Sequence, residues 1–119
     1  MLKVKTQLIG NVGKIEAQYT PQGKLVCKGS IAVNFGKNGS DDTDWYNFVA
    51  WERTAEMMND FVQVGTKVLI EAVQRIKKWE DKDGNKHQNI ELTVRDFDVL
   101  AKGKPKEEHE EDEPDYMRE

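Results

Sequence analysis

One cysteine, two histidines and three prolines stand among 119 residues, and each scarcity narrows what the chain can do. A lone Cys27 excludes an internal disulfide framework and suits a reducing compartment. Two histidines, His87 and His109, with one cysteine do not make a zinc site of three or four ligands at workable spacing. No Gly-x-x-x-x-Gly-Lys, Gly-x-Ser-x-Gly or His-Glu-x-x-His segment occurs, so no phosphate loop, nucleophile elbow or metalloprotease helix is encoded. Nothing else in the chain asks for a cofactor, and an enzyme is not expected. Long apolar runs are also missing. None approaches the ~20 residues that cross a bilayer, and Met1-Leu2-Lys3-Val4-Lys5 is not the start of a secretory signal. The expectation is a cytoplasmic protein with no membrane contact.

Charge, by contrast, is plentiful and unevenly placed. Residues 107–119 hold eight acids and one base, net −7, which leaves 14 acids and 17 bases in residues 1–106, net +3. A mildly basic body able to meet a polyanion carries a strongly acidic tail. Beyond Lys102 too little apolar surface remains to fold, so residues 102–119 are expected to be a disordered acidic tail behind a domain spanning residues 1–101.

Within that domain the periodicities are mostly those of strands. Leu2 to Ile9 opens one; Gly10-Asn11-Val12-Gly13 suggests a bulge or bend, and Lys14 to Gln18 continues it. Tyr19-Thr20-Pro21-Gln22-Gly23 is a turn. Leu25 to Phe35 alternates, with Leu25, Cys27, Gly29, Ile31, Val33 and Phe35 on one face, and a polar loop, Gly36 to Asp42, follows. Asp44 to Trp51 is a third strand, five of its eight residues being β-branched or aromatic. After it the spacing of Ala55, Met58, Phe61 and Val62 is helical, with Thr54 as a cap and Gly65 as a stop. Thr66 to Trp79 is a long strand whose even positions Val68, Ile70, Ala72 and Ile76 are apolar. Asp83-Gly84 turns it back through Ile90 to Leu100, where Ile90, Leu92 and Val94 share a face. Three strands, a short helix and a two-stranded hairpin give an all-β, five-stranded OB-fold barrel with the helix between the third and fourth strands.

The third strand has aromatics on both faces: Trp45, Asn47, Val49 and Trp51 on one, Tyr46, Phe48 and Ala50 on the other. A binder of single-stranded nucleic acid needs aromatic platforms for bases among Lys and Arg for phosphates, each stacked base being worth roughly 1–3 kcal/mol. Candidate platforms are Trp45, Trp51, Trp79 and Phe35. Candidate cations are Arg53, Arg75, Lys77 and Lys78, with Lys82, Lys86 and Lys37 nearby. The bland alternatives stand beside them. Trp45 and Trp51 could fill core, Phe35 could continue its strand's apolar face, Arg53 could pair with Glu56, and Cys27 reads as a small buried side chain. Trp79, set among Lys77, Lys78, Glu80 and Asp81, would be awkward to bury.

Six segments in order resemble the bacterial and phage single-stranded DNA-binding protein family. They are Leu8-Ile9-Gly10-Asn11-Val12-Gly13, Tyr19-Thr20-Pro21-Gln22-Gly23, Thr43-Asp44-Trp45, Ala55-Glu56, Gly65-Thr66-Lys67-Val68-Leu69-Ile70-Glu71, and Arg75-Ile76-Lys77-Lys78-Trp79-Glu80-Asp81-Lys82-Asp83-Gly84. The resemblance implies an OB-fold that binds single-stranded DNA without sequence preference in replication, recombination or repair, usually as a homotetramer. It implies stacking at Trp45, Trp51 and Trp79, basic contacts at Arg75, Lys77 and Arg53, and a subunit contact at Tyr46. The chain departs from the family in three places. Its 36–42 loop is short and lacks the usual tryptophan, Asn47 stands where a basic residue is common, and the terminal Asp-Phe-Pro-Phe that follows the acids and recruits replication and recombination proteins is absent. The other reading is an OB-fold adaptor that works through protein contacts in a replication or primosome complex. Such a protein would not need tryptophans interleaved with Arg and Lys.

Overall fold

Alternating apolar residues along five strands must bury one face, and here they do so by closing a barrel. The structure is a computed structural model that describes residues 3–36 and 42–103. Its elements run β1 (Lys5–Tyr19), β2 (Leu25–Asn34), β3 (Thr43–Trp51), α1 (Glu52–Phe61), β4 (Lys67–Glu80) and β5 (Lys86–Ala101). Around the barrel the order is β1-β2-β3-β5-β4, with β4 pairing back on β1. All neighbours are antiparallel except β3 and β5, which meet in parallel over three residue pairs, Asn47–Glu91, Phe48–Leu92 and Val49–Thr93. The fold is the expected one, five strands with one helix between the third and fourth.

The core forms where inward positions of all five strands converge with the helix. Val12, Cys27, Ile31, Phe48, Ala50, Ile70, Leu92 and Val94 pack with Ala55 and Met58 of α1. Burial pushes the Cys27 thiol up, so this side chain is an inert filler. The bend expected near Gly10–Gly13 is a register shift between Val12 and Lys14, where one extra residue lets β1 serve β4 with its first half and β2 with its second. The 19–23 turn also forms: the Gly23 N–H donates to the Thr20 carbonyl, and the Lys24 N–H to Thr20 Oγ1. Thr66 is the one buried polar residue among those described. Its Oγ1 accepts from the N–H groups of Gln63 and Gly103, and its carbonyl accepts from Val12, tying three segments at one point.

Two local expectations need correction. Thr54 does not cap α1. The helix begins at Glu52, directly after the strand, with Trp51 at the cap position and no side-chain cap bond. Its end is likewise set at Val62, where the backbone turns extended, and Gly65 belongs to a later turn. Ile76 and Ile90 are not core. β1 accompanies β4 only as far as Val73, and β3 accompanies β5 only from Glu91, so beyond these points the β4–β5 hairpin has no third strand. Ile76 and Ile90 pair with each other on this projecting arm and both are exposed. The polar loop and Lys37 between residues 36 and 42, and the acidic tail from residue 104, lie outside the described residues.

Candidate nucleic-acid interface

Strand registers place the candidate side chains more firmly than alternation could. Facing residues in neighbouring strands share a side of the sheet. Lys14 of β1 faces Ser30, Ser30 faces Asn47, Asn47 faces Glu91 and Glu91 faces Arg75. One row of outward side chains therefore crosses all five strands. Trp45 lies two residues from this row on β3, and Lys77 and Trp79 lie two and four residues from it on β4. Trp45, Arg75, Lys77 and Trp79 thus occupy one continuous outer face, with Lys28 opposite Val49 on the same side.

Trp45 is 61 % exposed, Trp79 47 % and Trp51 44 %. The burial alternative for these three is set aside. Trp45 has a prepared seat: a Cβ added to Gly13 would run into the Trp45 ring, at 2.7 Å from its Cη2, so the indole lies on bare backbone at the β1 bulge. Trp51 is six residues along the same strand face, about 20 Å from Trp45 at the strand rise, and pairs with Val26 at the far end of the sheet. Val49, between them in parity, is buried.

The hairpin arm carries the third indole. Its rigid tip is built by Asp81. The Asp81 N–H donates to the Asn85 carbonyl at 3.0 Å, while Asp81 Oδ1 accepts from the N–H groups of Asp83 and Asn85, each at 2.9 Å. Its other oxygen, Oδ2, is 2.9 Å from His87 Nε2. The His87 bond first, then the Asn85 amide, hold the Asp81 carboxyl below the usual carboxylate range. His87 in turn faces Trp79 across the hairpin, the two rings stacked with centroids 4.2 Å apart and planes 18° from parallel. Between the arm and the sheet runs a groove of about 580 Å³, lined by Lys14, Lys28, Ser30, Asn47, Lys77 and Trp79 among others. Three lysines and an indole around an open groove can take a phosphate backbone with a base laid on the ring.

Not every candidate shares this face. Lys78 pairs with Gln88 on the opposite side of the arm, with Ile76 and Ile90. Arg53 stands on α1 beside Glu52, Glu56 and Asp60, in a separate hollow that also includes Tyr19. No ion pair of Arg53 with Glu56 forms among the described residues. Phe35 is exposed one residue beyond β2, where its N–H donates to the Asp42 carbonyl and closes the β2–β3 connection. Tyr46 is partly buried and packs against the core, opposite Ile31. Lys14, Lys28 and His87 were not singled out from sequence for this surface. Their signal is register alone.

The profile of the Single-strand binding protein family matches residues 4–100. Among individual proteins, the chain is 34% identical over 100 residues to single-stranded DNA-binding protein 2 of Streptococcus agalactiae serotype V, covering 81% of this chain and 76% of that one. It is 29% identical over 105 residues to single-stranded DNA-binding protein 1 of Xylella fastidiosa, covering 82% and 77%. A crystal structure of the Saccharomyces cerevisiae mitochondrial single-stranded DNA-binding protein Rim1 superposes with a TM-score of 0.70 at 25% identity, over 87% of this chain and all of that one.

Proposed function

The chain belongs to the single-strand binding protein family, and from that premise we propose how it holds its ligand: single-stranded DNA runs along the outer face between the sheet and the β4–β5 arm. The protein binds single-stranded DNA, and its family is one of DNA binders rather than catalysts. Bases stack on Trp45 and Trp79, and Trp51 extends the track along β3. Arg75, Lys77, Lys14 and Lys28 meet phosphates, while Arg53, Lys78 and Phe35 serve DNA that wraps beyond this face. The observation that carries this reading is the single row from Lys14 to Arg75, which sets two exposed indoles and four cations on one surface. Contacts of this kind read no base edges, so binding is independent of sequence. Coating strands in this way keeps them unpaired and protected during replication, recombination or repair. Assembly is as a homotetramer, with Tyr46 near a subunit contact. In the described residues no helix is long and apolar enough to cross a membrane; the cytoplasm, where its DNA would lie, is the compartment that goes with this reading.

The test is Trp45→Ala and Trp79→Ala, singly and together, titrated with poly-thymidine by tryptophan fluorescence. Each single change is expected to weaken binding by roughly 1–3 kcal/mol, and the pair to abolish measurable binding with the strand spectrum in circular dichroism unchanged. Wild-type affinity in the double variant would point instead to the adaptor reading. The slope of affinity against salt counts the phosphates engaged, at about 0.7 per contact for single strands.

A further inference from the structure

The Trp79–His87 stack has a property that base stacking alone does not require: one of its rings is an imidazole, tied to a carboxylate. Asp81 Oδ2 belongs to a carboxylate, which only accepts hydrogen bonds, so His87 Nε2 must carry the proton between them. The turn therefore fixes Asp81, Asp81 fixes the imidazole, and the imidazole covers one face of the indole. Only the other face of Trp79 is open to a base.

We propose that His87 is a positioning residue for DNA binding: it holds Trp79 in the stacking posture and, on taking a second proton at Nδ1, raises DNA affinity. This rests on the single-stranded DNA reading above. A protonated imidazole stays bonded to Asp81, gains attraction to the indole face beneath it, and adds a positive charge to the DNA side of the arm. Around the pair stand Lys77, Lys78, Glu80, Asp81 and Lys86 on the arm, and Lys14, Glu16, Lys28 and Glu91 across the groove. Their cations outnumber their acids, so the added proton joins a surface already biased toward polyanions. One more exposed charge is worth the usual fraction of a kcal/mol, which corresponds to roughly two- to fivefold in affinity.

Two measurements test this on the full chain. Binding of a fluorescein-labelled thymidine oligonucleotide is followed by anisotropy at constant ionic strength from pH 8 to 5.5. The wild type is expected to tighten roughly two- to fivefold over that range. His87→Phe, which keeps a ring on Trp79 but cannot take a proton, should bind at pH 8 between wild type and His87→Ala and should lose the increment on acidification. His87→Ala should bind more weakly at both ends. Carboxylates and His109 are common to all three proteins, so the difference between them isolates His87. The second measurement needs no DNA. In a Trp45→Phe, Trp51→Phe background the emission of Trp79 should be quenched as the stacked imidazole protonates, and His87→Phe should remove that transition. Wild-type pH profiles in both His87 variants, or Trp79 emission indifferent to His87, would overturn the proposal. Absence of wild-type binding at every pH, with the emission transition intact, would instead overturn the DNA reading and with it the affinity half of the proposal.

Discussion

A missing side chain decides how Trp45 sits. The ring rests where a Cβ on Gly13 would have to be, yet the clashing atoms belong to an exposed side chain that can swing aside. Gly13→Ala is therefore expected to move the indole rather than break the barrel. DNA affinity should fall by up to the 1–3 kcal/mol of one stacked base, while urea unfolding shifts by less than about 1 kcal/mol. Equal losses in both measurements would mean that Gly13 serves the barrel and not the indole. Residue by residue, the sequence made Trp79 legible, because its neighbours are all charged. Trp45 and Trp51 were ambiguous from alternation, since Phe48 and Trp45 look alike until one knows which face closes the barrel. Lys14 and Lys28 were not readable at all. They join Trp45 only through the β1–β2 and β2–β3 registers, which no local pattern states.

At the scale of elements, junctions carry the information that periodicity lacks. β3 runs into α1 with no linker, and Glu52 makes the corner at φ 52°, a left-handed value that costs a side-chain-bearing residue roughly 1–2 kcal/mol. Glu52 also offers an acid to the helix N-terminus, worth about 0.3–1 kcal/mol. The strain is the larger effect, so Glu52→Gly should stabilise the protein by about 0.5–1 kcal/mol in urea denaturation; a loss of stability would show that the helix-end charge dominates. The hairpin teaches a related lesson. Asp83-Gly84 announced a turn correctly, but a two-residue turn there would set Gln88 against Trp79. The observed pairing of Glu80 with Lys86 sets His87 there instead. One residue of register exchanges the faces of a strand, and so decides whether the indole rests on an amide or on an imidazole. Ile76 and Ile90 stand outside the core for a reason that alternation also cannot show. Their alternation continues that of core residues, and only the strand lengths around the barrel show that no described strand accompanies them.

For the molecule as a whole, charge is divided between a body of net +3 and a tail of net −7. A tethered polyanion competes with DNA for the basic face, and the competition is screened as salt rises. Removing residues 107–119 should tighten oligonucleotide binding severalfold at low salt, with the difference shrinking above about 0.3 M as the Debye length contracts. Unchanged or weaker binding of the truncated chain in an anisotropy titration would show that the tail does not reach the face. The architecture has one more consequence, and it concerns how the face is held together rather than its affinity. Every antiparallel contact in the barrel joins strands that are neighbours in sequence or lie along the long β1–β4 seam. The parallel β3–β5 contact is different: three residue pairs between strands that the helix and β4 separate along the chain. It closes a shorter loop than the β1–β4 seam, 44 residues against 56 to 68, but with three residue pairs against seven it has the least contact to offset that closure. It is the joint held by the fewest residue pairs. The row from Lys14 to Arg75 crosses it between Asn47 and Glu91, so the DNA face exists as one surface only while this joint is closed.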